Sequence, residues 1–185
     1  MTGSYVQGSP PTLASVNDDL PGVAPDGGAI EVVAHDDAWV AVDKPAGLPS
    51  VPGRTPELAD CAWSRVARHV TDALVVHRLD MATSGVLLFA RGPAVQRALS
   101  IAFATREVRK VYVAMVHGHV AADEGRIDLP LAADWPRRPR QVVDHQHGKP
   151  SLTQWRVRSR FGVDAACGAD HTTTPRTLLE LEPLT

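Results

Sequence analysis

Cysteine is scarce in this sequence: Cys61 and Cys167 are the only two in 185 residues. Two cysteines cannot build a disulfide framework, and their spacing is not a C-x-x-C. Both are expected as free thiols in a reducing compartment. Long apolar runs are also missing. The runs present, such as Val86 to Ala90, are far too short to cross a bilayer. Met1 to Pro11 holds no basic residue and no apolar core. A secretory signal is therefore not expected, and a cytoplasmic chain is. Net charge is nearly absent too, at −2. Taken as a sum, it points to no nucleic-acid partner.

What is present fits a globular protein. Hydrophobic residues make up 44% and charged residues 22%, on a chain long enough to bury a core. Fourteen glycines and fifteen prolines predict many turns. The small net charge hides an uneven distribution. Residues 1–77 carry −6, residues 78–160 carry +7 and residues 161–185 carry −3. Sixteen of the nineteen basic side chains are arginine, whose planar fork suits phosphate oxygens and base faces. A basic middle of this kind suits a polyanion; a merely solvated arginine surface is the competing reading.

Residues 1–29 are rich in Gly, Pro, Ser and Asp without periodicity, and are expected to be a disordered extension. Order is expected from Ile30, with 30–185 as one folded domain. Ile30 to Ala34 and Trp39 to Val42 read as strands, and Lys44 to Pro56 as a loop. A helix is expected over residues 57–70, then short strands over 74–76 and 85–90. A second helix over 93–105 has Val95, Leu99 and Phe103 on one face. Residues 109–118 and 151–161 alternate as strands, 126–131 and 140–144 are shorter ones, and 178–181 opens a last strand. A loop is expected over 162–175. The fold class is α+β, a mixed or antiparallel sheet with flanking helices.

The most informative stretch runs from Val75 to Gly85, between two strands. Within nine residues it offers His77, Arg78, Asp80, Thr83, Ser84 and Gly85. An ionised, positioned aspartate can act as nucleophile or general base. The plainer reading is an Arg78–Asp80 ion pair at a loop corner.

The longer string His77-Arg78-Leu79-Asp80-x-x-Thr83-Ser84-Gly85 resembles the signature of the RluA family of pseudouridine synthases. Val42-Asp43-Lys44-Pro45-Ala46-Gly47-Leu48 resembles its first motif, and Arg109-Lys110-Val111-Tyr112-Val113-Ala114 its K-x-Y-x-A strand. Asp128-Leu129-Pro130-Leu131 and Gly148-Lys149-Pro150-Ser151-Leu152-Thr153 match later segments. Asp134-Trp135-Pro136-x-Arg138-Pro139-x-Gln141 is similar to the branch that modifies both a tRNA anticodon loop and a large-subunit rRNA hairpin. The resemblance implies that Asp80 is the catalytic aspartate, attacking a uridine at C1′ of the ribose or C6 of the base. It implies that Tyr112 stacks on the uracil and helps remove the C5 proton. Arg78 would hold the flipped-out nucleotide or fill its place. His77, Thr83, Lys110 and Lys44 are the remaining substrate-site candidates, with Lys44 contacting phosphate or tuning local potential. His77 has the alternative task of holding the loop in shape. The reaction implied needs no cofactor and no metal, and the partner is RNA, met by a monomer away from membranes. The family continues beyond the position of Thr185 into G-R-[ST]-H-Q-[LI]-R, whose arginine pairs with the aspartate. The chain is thus expected to lack that motif.

Two other functions are expected to compete. One is a catalytically dead RNA-binding relative. The other is a carboxylate glycosidase, which needs a second acid that Asp72 and Glu107 are poorly placed to supply. His117-x-His119 and His145-x-His147 invite a metal, but no Cys or carboxylate cluster completes a site. Trp63 and Trp155 are expected to be packing residues, and so is Tyr112 if the resemblance is set aside.

Overall fold

A computed structural model describes residues 30–138, 140–162 and 174–185. The expected extension over 1–29 and most of the loop over 162–175 lie outside these. The chain divides into two compact units, one ending at Ala104 and the other starting at Thr105. Every strand pairing among the described residues is antiparallel.

The first unit contains β1 (Glu31–His35), β2 (Trp39–Lys44), α1 (Ala62–Ala67), β3 (Ala73–Val75), β4 (Gly85–Arg91) and α2 (Pro93–Ala104). Its sheet order is β1-β2-β4-β3. The β1–β2 turn is fixed by Asp36, whose Oδ1 accepts from the amides of Ala38 and Trp39 at 2.7 and 2.8 Å. Alternation then builds the core. Val40 pairs with Phe89 and Val42 with Leu87 across β2 and β4, and all four are buried. Ala62, Val66 and Val70 close over them. On α2, Val95, Leu99 and Phe103 are half-buried, and Gln96 Nε2 donates to the Val75 carbonyl at 2.9 Å.

The helix expected over 57–70 is broken. Residues Pro56–Leu58 form a 3-10 turn, and α1 starts only after Cys61. The cause is local. Cys61 caps α1, its sulfur accepting from the Ser64 amide while Ser64 Oγ returns a bond to the Cys61 amide. Leu58 meanwhile folds back on Gly53, where an added Cβ would lie 2.5 Å from Leu58 Cβ.

The second unit holds a sheet of order β5-β10-β9-β6. These strands are β5 (Tyr112–His117), β6 (Glu124–Asp128), β9 (Leu152–Phe161) and β10 (Arg176–Pro183), while β7 (Leu131–Ala133) and β8 (Gln141–Val143) form a separate hairpin. The single strand expected over 126–131 is therefore two strands in two sheets. Pro130 lies between them, with no N–H for a ladder. The last strand is longer than its 178–181 expectation and lies between β5 and β9. Buried Thr177 ties it to the chain after β5: its hydroxyl donates to the Gly118 carbonyl at 2.8 Å and accepts from the Val120 amide at 3.0 Å.

Candidate active site

The loop over residues 76–84 is held from beneath by two buried polar side chains. Ser50 Oγ donates to the Leu79 carbonyl at 2.6 Å and accepts from the Leu79 amide at 3.0 Å. Lys44 reaches 0% exposure and donates to the carbonyls of Leu48, Pro45 and Met81 at 2.7, 2.9 and 3.2 Å. The Gly47 amide also donates to the Met81 carbonyl, at 2.7 Å. Gly47 has φ +88, a conformation glycine supplies at little cost. Leu79 packs against the core. The residues on either side of Asp80 are thus both anchored to the body of the unit.

With Leu79 drawn inward, its neighbours Arg78 and Asp80 are exposed. Neither side chain enters a hydrogen bond or ion pair among the described residues, so the loop-corner pair of Arg78 and Asp80 is not formed. The Thr83 amide donates to the Asp80 carbonyl at 3.0 Å and closes a turn over residues 80–83. Lys44 is the charge coupled to Asp80. Burial lowers the Lys44 pKa from its ordinary value, and the negative charge of Asp80 opposes that shift.

His77 is built into the framework. Where β3 has left the sheet, the Leu88 amide donates to His77 Nε2 at 3.0 Å. The imidazole stacks on Phe103 of α2, with ring centroids 4.4 Å apart. Of the two tasks considered for His77, holding the loop is the one this geometry displays. Lys44 likewise has its ammonium buried on carbonyl oxygens, so a direct phosphate contact does not fit its placement. Tuning the potential around Asp80 does. The sequence reading missed Ser50 and Phe103, which are a serine in a Pro/Gly loop and one of several apolar residues on a helix.

In the second unit, Tyr112 opens β5, half-buried and paired with Leu181 of β10. Lys110 precedes it, half-buried; Arg109 donates to both oxygens of Glu182 at 2.7 and 2.9 Å. The basic middle of the chain is less free than its sum. Among its fourteen basic residues, Arg91, Arg109, Arg137, Arg156, Arg158 and Arg160 face carboxylates. Trp63 donates its indole N–H to the Ala73 carbonyl at 3.0 Å. Trp155 lies over Gly125, where an added Cβ would meet its ring at 2.5 Å. Among the described residues, no group of three His, Cys, Asp or Glu could hold a metal.

The family model described as RNA pseudouridylate synthase matches residues 38–185. The chain belongs to this family. It is 52% identical over 130 residues to the dual-specificity RNA pseudouridine synthase RluA of Vibrio vulnificus, covering 70% of this chain and 52% of that one. The protein of the same name from Yersinia pestis is 50% identical over 129 residues, covering 70% and 63%. The chain thus spans between half and two thirds of the length of these relatives. Two solved human structures share the fold. RNA pseudouridylate synthase domain containing 4 has a TM-score of 0.63 over 84% of this chain and 59% of that one. RNA pseudouridylate synthase domain containing 1 has a TM-score of 0.66 over 85% and 60%. Both are 22% identical to this chain, and with them the expected α+β fold is established. Among the described residues no helix is long and apolar enough to cross a membrane.

Proposed function

We propose that the chain is an RNA pseudouridine synthase with Asp80 as its nucleophile. The observation that carries this reading is the Asp80 carboxylate itself. It is exposed and unengaged among the described residues, on a loop fastened at both neighbours. That combination suits a nucleophile, because an exposed carboxylate can be reached by a substrate and a fastened loop keeps it aligned. Asp80 attacks C1′ of the ribose or C6 of the base. The N1–C1′ bond breaks, the uracil turns, and a C5–C1′ bond forms. The C5 proton leaves and N1 gains one, so the reaction is an isomerisation without net oxidation or reduction and needs no cofactor. Tyr112 acts as the base platform and a route for the C5 proton. Arg78 holds the extruded nucleotide or its vacated place, since a uridine must leave its stack to meet the carboxylate. Thr83 and Lys110 serve the bound nucleotide; His77 and Lys44 serve through the loop.

The relatives named as dual-specificity RNA enzymes support more than one RNA substrate, and the resemblance of the Asp134–Gln141 motif favours tRNA and large-subunit rRNA. RNA as partner puts the work in the cytoplasm, by one chain with one aspartate. The test is incubation of the chain with tRNA and large-subunit rRNA transcripts, followed by carbodiimide mapping of pseudouridine. The wild type is expected to modify a uridine and Asp80→Asn to modify none. Salt-dependent RNA binding with no modification by the wild type would replace this reading with that of a binding protein. Retained activity in Asp80→Asn would remove Asp80 from its role.

A further inference from the structure

The turn joining β7 to β8 takes no part in the chemistry above. It is nonetheless built stiffly. The Asp134 amide donates to the Arg140 carbonyl at 2.9 Å, the Arg137 amide to the Asp134 carbonyl at 2.9 Å, and the Arg140 amide to the Arg137 carbonyl at 3.1 Å. Asp134 is buried, and Arg137 Nε lies 2.8 Å from its Oδ2. On this base stands the 3-10 turn Trp135–Arg137. Trp135 is 67% exposed, the highest exposure among the large apolar side chains described. A tryptophan ring presented to water on such a base is an amphipathic surface of the kind enriched at contact sites.

The ring is also positioned. The Arg138 guanidinium carbon lies 4.0 Å from its centroid, and Arg138 Nε donates to the Trp135 carbonyl at 3.3 Å. One face of the indole is thereby covered by a cation, which leaves its exposure to the other face and the edges. The surroundings are basic. Residues 134–149 contain Arg137, Arg138, Arg140 and Lys149 against Asp134 and Asp144. Arg138 and Arg140 enter no ion pair among the described residues. Lys149 is exposed and its backbone bridges Leu131 at the foot of the hairpin.

We propose that Trp135, steadied by Arg138, is a stacking platform for an unpaired base of the RNA, with Arg140 and Lys149 meeting the adjoining phosphates. The proposal rests on the reading of the chain as RNA-acting. Charge complementarity favours a nucleic acid over a protein partner here. Arginine planes beside an aromatic ring also suit single-stranded RNA, whose bases can splay out and stack. Trp135 then selects the unpaired segment by which the RNA is held.

The test uses the whole chain and two fluorescein-labelled oligoribonucleotides of equal length. One is an unstructured mixed sequence; the other carries abasic ribose throughout, with the same phosphates. Trp135→Ala is expected to lose about five- to a hundredfold in affinity for the first and little for the second. Trp135→Phe is expected to keep most of the affinity. Arg140→Gln should weaken both and flatten the salt dependence. Circular dichroism of each variant checks that the fold is kept. The proposal is overturned if Trp135→Ala binds like wild type, if it loses equally on both oligomers, or if the wild type binds neither. Pseudouridine formation is not read in this experiment, so a failed role for Asp80 and a failed platform are told apart.

Discussion

Replacing Lys44 by methionine should loosen the loop that carries Asp80. The side chain keeps its length and apolar stem and loses only the ammonium. Three carbonyls then lose a donor. The Leu48 carbonyl is bonded in a buried setting, at a cost of about 2 kcal/mol when orphaned, while those of Pro45 and Met81 are partly reachable by water, at about 0.5–1 kcal/mol each. Relief of the desolvation of a buried ammonium returns several kcal/mol. The two contributions nearly cancel in global stability, and what remains is a local loosening of the loop. Hydrogen exchange should localise it: the amides of Gly47, Leu79 and Thr83, all bonded within this framework, should exchange faster in Lys44→Met. A pH series gives an independent arm. Because the folded pKa of Lys44 is lowered, the unfolded chain binds its proton more tightly. Wild-type stability therefore rises between that lowered value and 10.5, where the unfolded lysine titrates, and Lys44→Met lacks the rise. Asp80→Asn removes the charge that opposes the shift and extends the window to lower pH. Unchanged protection of the three amides in Lys44→Met, or a wild-type stability that falls across the window, would refute the clamp.

Ser50→Ala removes both bonds to Leu79 and should cost about 1–2 kcal/mol in thermal unfolding, with faster exchange confined to the same loop. Thr177→Val keeps the shape of a fully buried side chain but orphans the Gly118 carbonyl and the Val120 amide. A loss of about 2–3 kcal/mol, measured by urea unfolding, is expected. Asp80→Asn should still fold and unfold cooperatively, slightly below the wild-type temperature because Lys44 loses the opposing charge, while forming no pseudouridine, which separates its chemistry from its support.

Much of the fold was legible because it follows period-two alternation. Val40 and Val42 opposite Leu87 and Phe89 announce buried strands, and the 95, 99, 103 spacing announces α2. What was not legible depends on partners distant in sequence. Lys44 reads as a surface cation in a Pro/Gly loop, and only tertiary packing brings the Met81 carbonyl, 37 residues on, to its ammonium. The break before α1 depends on a cysteine acting as a cap, a role its residue type seldom signals. A block charge of +7 counted arginines whose carboxylate partners lie elsewhere in the chain, as Arg109 and Glu182 do across 73 residues. The candidate site was visible as a motif, whereas its supports were visible only as geometry.

The central place of β10 has a consequence for how the protein is made. Residues 30–104 hold all four strands of their sheet and can pair as soon as that stretch has left the ribosome. The second sheet cannot: β5, β6 and β9 emerge first, and the strand that bridges β5 to β9 follows all three in the chain. During synthesis the hydrogen-bonding edges of β5 and β9 that face β10 therefore wait unpaired, open to other chains. Translation speed and chaperone capture between the emergence of β9 and that of β10 should govern the yield of the second unit far more than that of the first.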